Sequence, residues 1–464
     1  MTELARAFAE ATGQDYTQPW EWQDKGLRSH QRMASRLATY GRGRILYVNG
    51  AGWHAWDGTR WAPDEREARA HAVLTELLTL SWQEAMTDKD LASDVNASMT
   101  AHGSAGVLSL ASRQLFTAEV DSSPYLLNCQ NGTLDLHTLQ LRPHDPADHI
   151  TKATGCAFDP SAYSEDWEAF LSSSLPDEDV RGFLQRYAGL ALIGRVIEHV
   201  LVIATGSGRN GKGVLARALS GALGDYAITA SNDMLIASRY GQRSAGELAS
   251  RMRLRGARWA VMSELEKGDK LAESTMKSLT GGDTIEAKFM GQNPVEFDPS
   301  HTFFMLTNDL PKVDADATAV WARMRIVPFD VSFIGREDPK LEERLELNRA
   351  AILAWAVLGL AQYQDDGLAA PPAVLARTES YRADNDDVQQ FLAERCVIAP
   401  AARVTRSELH HAYMEWARDN DAEQLTPRQL APKVRGRNGV TEGKSAGKEI
   451  WKGLGLRNDQ DELD

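Results

Sequence analysis

The sequence predicts an α/β protein in three parts: a mixed α/β N-terminal domain, a P-loop domain, and a small C-terminal domain. Three observations carry that prediction. The run Gly206-Ser207-Gly208-Arg209-Asn210-Gly211-Lys212-Gly213 follows the apolar Val200–Ala204 and precedes the helix-patterned Val214–Leu219, the strand, turn and helix context that a phosphate cradle needs. Two later strand-like stretches, Arg258–Met262 and Thr302–Leu306, are apolar after their first residue and each runs into polar side chains. Finally, Ala369-Ala370-Pro371-Pro372 breaks a helical stretch over 336–370, and a compact unit follows the polar Asp384-Asn385-Asp386-Asp387.

Taken in order, residues 1–165 form the N-terminal part. Arg44–Val48, the turn Asn49-Gly50, Trp53–Trp56 and the turn Asp57-Gly58 read as a small hairpin sheet. Trp53, Trp56 and Trp61 are expected to pack its core rather than to stack on bases. Residues 66–95 have helical periodicity, and Leu126–Leu136 reads as strand, Asn-Gly turn, strand. The P-loop part spans 166–370 and opens with helices between Trp167 and about Ala191. The third part covers 385–464.

Composition narrows the class. The chain has 464 residues, 43% hydrophobic and 25% charged, enough for about three domains of roughly 150 residues. A net charge of −14 excludes a basic nucleic-acid coat, so any DNA contact must come from local patches. Three cysteines without a C-x-x-C pair support neither a disulfide framework nor a zinc site. No stretch approaches the roughly eighteen apolar residues of a membrane span, and the N-terminus lacks an apolar leader, so a cytoplasmic protein without membrane contact is expected.

Within the P-loop the expected ATP-binding residues are Gly206, Ser207, Gly208, Arg209, Asn210, Gly211, Lys212, Gly213 and Val214. Backbone N–H groups wrap phosphate oxygens, the following helix adds its dipole, and Lys212 reaches the β- and γ-phosphates. Glycines are expected here because side chains would collide with the nucleotide, and Lys212 is expected to face solvent. The motif ordinarily places Ser or Thr after its lysine to reach Mg2+; here Gly213 and Val214 follow.

Downstream, Arg258–Met262 runs into Ser263-Glu264-Leu265-Glu266, a strand ending in carboxylates. ATP hydrolysis needs such a group to hold Mg2+ or to orient the attacking water. Glu264 stands where the apolar run stops, and Glu266 shares its face if the strand continues. Next come Lys277-Ser278-Leu279-Thr280-Gly281-Gly282-Asp283, then a strand ending at Thr307-Asn308, then Trp321-Ala322-Arg323-Met324-Arg325 before Pro328-Phe329. Asn308 fits a γ-phosphate sensor and Arg323 a finger reaching a neighbouring subunit's nucleotide. From Leu425 to Arg457 there are eight basic residues against two acids, among them Arg428, Lys433, Arg435, Arg437, Lys444 and Lys448, which reads as a phosphate-contacting surface.

The ordered set resembles the superfamily 3 helicases, specifically the helicase part, without a fused primase domain, of phage and plasmid primase-helicases related to the poxvirus primase-helicase. The resemblance rests on G-x-G-x-N-G-K, Ser-Glu-x-Glu-x-Gly, Lys-x-Leu-Thr-Gly-Gly-Asp, Thr-Asn-x-x-Pro and Trp-x-Arg-x-Arg. Asn131–Leu136 with Pro143–Pro146 upstream, and Tyr413-x-x-Trp416 with Trp451-x-Gly453-x-Gly455 downstream, extend it over residues 40–457. It implies an AAA+-like ATPase domain, a C-terminal winged-helix domain, ATP and Mg2+ as cofactors, and a hexameric ring moving 3′-to-5′ on single-stranded DNA at a fork. Residue by residue it implies Lys212 on the phosphates, Glu264 at hydrolysis and on the metal, Asn308 as sensor and Arg323 as trans finger. A DNA-gripping hairpin would carry Lys288 and Phe289 at its first strand and tip, and a separate primase or polymerase would supply priming. A non-unwinding origin-binding ATPase or helicase loader is the competing reading; strand displacement on forked DNA separates the two.

Overall fold

A computed structural model describes residues 22–236, 245–263, 268–288, 294–445 and 447–457. Its centre is a five-stranded sheet of β8 (Leu201–Thr205), β9 (Ala227–Thr229), β10 (Trp259–Ser263), β13 (Thr302–Thr307) and β14 (Met324–Pro328), in the order β14-β8-β13-β10-β9. Every neighbouring pair is parallel. A parallel sheet needs cover on both faces, and the side chains divide with period two. Val202, Ala204, Trp259, Val261 and Phe304 enter one apolar cluster; Leu201, Ile203, Ala260, Met262, Phe303 and Met305 enter another. That two-sided burial is why these strands read as unbroken apolar runs.

Ahead of the sheet, β1 (Ile45–Val48), β2 (Gly52–Trp56), β3 (Trp61–Pro63) and β4 (Phe116–Thr117) form a sheet ordered β3-β2-β1-β4. It packs with α1 (Ser29–Tyr40), α2 (Ala68–Ala85), α3 (Lys89–Ser98) and α4 (Ala101–Gln114) around Met33, Leu37, Leu77 and Val107. Trp53 and Trp61 are buried, and Trp56 meets Trp61 edge-on at 5.8 Å, so these rings fill a core. Next, β5 (Leu126–Cys129), β6 (Gly132–Asp135) and β7 (Leu141–Arg142) form a meander, with Gln130-Asn131 as the two-residue turn between β5 and β6. Its Leu127 and Leu134 share a cluster with α5 (Glu165–Ser174), α6 (Glu178–Leu190), α7 (Lys212–Leu223) and the later helices α11 (Leu341–Leu347) and α12 (Arg349–Asp366).

Helix α8 (Ala245–Met252) precedes β10, and between β10 and β14, besides β13, lie α9 (Glu273–Leu279), the antiparallel pair β11 (Ile285–Ala287) and β12 (Val295–Phe297), and α10 (Thr318–Trp321). Helix α13 (Pro372–Asp384) leads to a C-terminal unit of α14 (Asp387–Arg395), β15 (Cys396–Thr405), α15 (Arg406–Asp419), α16 (Pro427–Val434), β16 (Thr441–Ser445) and β17 (Lys448–Leu456). Its antiparallel sheet runs β15-β17-β16 over a core of Phe391, Tyr413, Trp416 and Trp451. Thr405 with Glu408 and Thr426 with Gln429 form capping boxes that fix the starts of α15 and α16. Among the described residues no helix is long and apolar enough to cross a membrane.

Candidate nucleotide site at the head of the parallel sheet

Thr205 ends β8 and Lys212 begins α7, so residues 206–211 form the loop between them. Gly208 and Gly211 have φ of +92° and +91°, which glycine adopts without steric cost; Arg209 holds φ +45°. The Arg209 side chain pairs with Glu337, whose carboxyl is held below its ordinary range by backbone hydrogen bonds and by that guanidinium.

Lys212 is not solvent-facing: it is 6% exposed. Its ammonium donates to the Gly206 carbonyl at 2.7 Å, to Asn210 Oδ1 at 3.1 Å and to Asn308 Oδ1 at 3.2 Å. Burial pushes its pKa below that of an ordinary lysine. Every one of these acceptors is a neutral oxygen, so the ammonium is oriented without being neutralised.

The sheet order explains how a residue 96 positions away reaches Lys212. Because β13 lies directly beside β8, Thr307 pairs with Thr205, and Asn308 emerges level with Gly206. The structure therefore brings Lys212 and Asn308 together. Strand β10 ends at Ser263 opposite Leu306; Glu264 and Glu266, expected at its tip, lie outside the described residues. Gly213 brings no hydroxyl, and no group of three or more His, Cys, Asp or Glu side chains suited to a metal occurs among the described residues. The loop geometry and the buried cation fit a polyphosphate; these residues alone do not make a Mg2+ site.

Arg323 is brought to neither Lys212 nor Asn308. Its carbonyl accepts from Leu201 N at 2.8 Å, at the start of β8, whereas the loop of residues 206–211 leaves the other end. Five strand residues, roughly 16 Å at 3.3 Å each, separate the two ends, so Arg323 lies at the end of β8 opposite the loop that carries Lys212. Its guanidinium donates to the Lys277 carbonyl at 2.6 Å and to Thr280 Oγ1 at 3.1 Å. The arginine motif thus holds the Lys-x-Leu-Thr-Gly-Gly-Asp motif, a link that neither motif discloses alone.

Lys288 follows β11, its backbone N–H bonded to the Leu248 carbonyl at 3.2 Å; Phe289 lies outside the described residues. In the C-terminal unit the expected basic surface divides. Lys433 donates to Asp314 at 2.8 Å and Asp316 at 2.7 Å, Arg435 to Glu442 at 2.6 Å, and Arg437 to both Asp386 oxygens at 2.7 and 2.6 Å. These carboxylates, of which only Glu442 lies within the stretch counted from sequence, compete there for any phosphate. Arg428, Lys444 and Lys448 are exposed and have no carboxylate within ion-pair distance among the described residues; the two lysines flank the turn between β16 and β17. Asn210 was expected as part of the phosphate loop but without a role for its side chain, and the carboxylates of Asp314 and Asp316 were not foreseen. The Asn210 side chain had its signal in the position before Gly-Lys, whereas Asp314 and Asp316 had none, since their partners lie more than a hundred residues on.

Comparison with known proteins matches residues 33–176 to the family described as D5 N terminal like, and residues 204–323 to a family of unknown function, DUF5906. "Putative helicase L207/L206" of Acanthamoeba polyphaga mimivirus is 27% identical over 332 residues, covering 66% of this chain and 34% of its own length. "Putative helicase 022R" of Frog virus 3 is 25% identical over 349 residues, covering 71% and 34%. "Putative primase C962R" of African swine fever virus is 25% identical over 331 residues, covering 66% and 34%. The chain spans about a third of the length of these relatives. A solved structure of the NrS-1 C-terminal region aligns with 64% of this chain and 76% of its own, at 13% identity and a TM-score of 0.41. At low identity, then, this chain is a homologue of viral proteins named as helicases and primases, and it carries a D5 N terminal like segment.

Proposed function

We propose that the protein is an ATP-driven DNA helicase of phage or plasmid replication, working as a hexameric ring that moves 3′-to-5′ on single-stranded DNA. The observation that carries this reading is the Lys212 ammonium, buried in a P-loop and shared with Asn308 from the neighbouring strand. Lys212 is positioned to take β- and γ-phosphate oxygens in exchange for its present acceptors, and Asn308, released from that bond, to orient the attacking water. Glu264, following β10, is assigned as general base and Mg2+ ligand, with Glu266 as the alternative two residues on. Mg2+, when bound, neutralises charge developing on the phosphates. Arg323, at the far end of the sheet, is assigned to the nucleotide of the adjacent subunit.

The C-terminal unit, with its helix, strand, two helices and hairpin in order, is read as a winged helix whose hairpin presents Lys444 and Lys448 to DNA phosphates. Lys288 and Phe289 grip the strand inside the ring, and a separate primase or polymerase supplies priming. The test is strand displacement on forked DNA with ATP, comparing wild type with Lys212→Ala and Glu264→Gln. Unwinding by wild type alone is the expected result. ATP-dependent binding without unwinding would instead favour an origin-binding ATPase or helicase loader.

A further inference from the structure

We propose that Asn210 is a positioning residue that acts through Lys212, an inference resting on the assignment of Lys212 to ATP phosphates. Asn210 is 3% exposed although it stands in a surface loop. Its Nδ2 donates to the Phe329 carbonyl at 3.0 Å, and its Oδ1 accepts from Lys212 Nζ at 3.1 Å. Phe329 follows β14 and donates its own N–H to Thr205, the last residue of β8. The amide therefore bridges from the phosphate loop to the end of the neighbouring strand, with the ammonium on its other side.

The amide can face only one way. Reversed, its NH2 would meet an ammonium and its oxygen a carbonyl, two like-signed contacts inside a buried site. A lysine side chain has many rotamers, and three fixed acceptors confine its ammonium to one place before phosphate arrives. The same bridge accounts for Gly206. A Cβ there would stand 2.1 Å from Asn210 Nδ2 and 2.4 Å from the Phe329 carbonyl oxygen. The first glycine of the motif is thus required by the asparagine bridge inside the protein, where the sequence had suggested collision with nucleotide. By contrast, a Cβ at Gly208 would meet nothing within 4 Å, and its constraint is the positive φ.

Asn210→Asp tests the bridge with almost no change of shape. The carboxylate keeps an acceptor for Lys212, loses the donor to Phe329 and places a negative charge beside both the ammonium and the incoming phosphates. In the full-length protein, equilibrium binding of ATP and steady-state phosphate release are measured for wild type, Asn210→Ala, Asn210→Asp and Lys212→Ala. Thermal melting verifies the fold, and if Asn210→Ala does not fold, the near-isosteric Asn210→Asp carries the test. Asn210→Ala is expected to weaken ATP binding about tenfold. Asn210→Asp is expected to weaken ATP binding further than Asn210→Ala and to lose less relative to wild type as salt is raised and screens the added charge, a response that a purely structural strut would not give. Wild-type binding and turnover by both Asn210 variants, with Lys212→Ala inactive, overturns the positioning role alone. Wild-type behaviour of Lys212→Ala overturns the phosphate assignment and this inference with it.

Discussion

Lys212 at the head of the parallel sheet and Lys433 in the C-terminal unit are both drawn out of solvent, yet their surroundings differ in charge. Lys212 has carbonyl and amide oxygens around it, whereas Lys433 lies between the carboxylates of Asp314 and Asp316. Burial lowers the pKa of Lys212 without an anion to offset it. Burial also acts to lower that of Lys433, but the hydrogen bonds it donates to Asp314 and Asp316 outweigh it and leave it raised. An anion 4 Å from an uncancelled charge gains about 4 kcal/mol at an effective dielectric near 20; beside a cation already matched by two carboxylates that gain largely vanishes. Both lysines belong to basic motifs in the sequence. Only the first is kept as a positive charge available to a ligand.

The largest effect should come from removing that charge. Lys212→Ala is expected to lower ATP turnover about 10²- to 10³-fold, measured as phosphate release, because a preorganised cation at the transferred phosphate is lost. Because Lys212 is buried, the substitution also leaves the Asn210 and Asn308 oxygens without this donor. A loss of about 1 to 2 kcal/mol in urea unfolding should accompany it. Unaltered turnover would erase the distinction between the two lysines.

Arg323 sharpens the comparison across subunits. Lys212→Ala and Arg323→Ala should each be nearly inactive as ATPases. When the two are co-expressed in equal amounts, random pairing should give roughly a quarter of interfaces with an intact P-loop facing an intact arginine, and a measurable fraction of wild-type turnover. Arg323 also holds the Lys277 carbonyl and Thr280 within its own subunit. Mixed assemblies no more active than either parent would mean that this internal contact is its whole contribution.

In the C-terminal unit the two kinds of basic residue should separate experimentally. Lys444→Ala with Lys448→Ala should weaken fork binding and reduce the slope of log affinity against log salt by nearly 2, at about 0.9 per duplex phosphate contact. Lys433→Ala with Arg437→Ala should leave that slope almost unchanged, since their charges are already spent on Asp314, Asp316 and Asp386. Equal slope changes in both pairs would show that DNA displaces the carboxylates.

The contrast also marks what a linear reading can reach. The strand, glycine loop and helix around Lys212, the tip of β13 and the C-terminal hairpin were legible because strand, turn and helix chemistry acts over neighbouring residues. Asn308 could be picked out as polar at a strand end, but its meeting with Lys212 depends on β13 lying beside β8. Sheet order is set by packing on two faces, which local pattern does not encode. The matching of Lys433 to Asp314 and Asp316 likewise spans units far apart in sequence. Counting charge over Leu425–Arg457 finds the cations and Glu442 but misses Asp314, Asp316 and Asp386, which fold against Lys433 and Arg437.

The smallest effect concerns pH at this same contact. Burial alone would raise the Asp314 carboxyl, but its hydrogen bond from Lys433 and the Asp316 backbone N–H hold it below its ordinary value of 3.8. A carboxyl whose folded pKa is depressed contributes stability that is complete above the unfolded value and disappears as pH falls through the folded one. Lys433, raised above 10.5, contributes stability that is complete below that value and is lost as pH rises through its folded pKa. The contact should therefore be fully formed from about pH 5 to 9 and weaken below pH 4. Asp314 and Asp316 side chains retain 37% and 53% of their exposure, so solvent screening limits the pair to under about 1 kcal/mol. The stability difference between wild type and Asp314→Asn, from urea midpoints, should be flat across neutral pH and shrink on acidification. A difference that grows as pH falls would mean that Asp314 is stabilised as the neutral acid, and the contrast between the two lysines would lose its electrostatic basis.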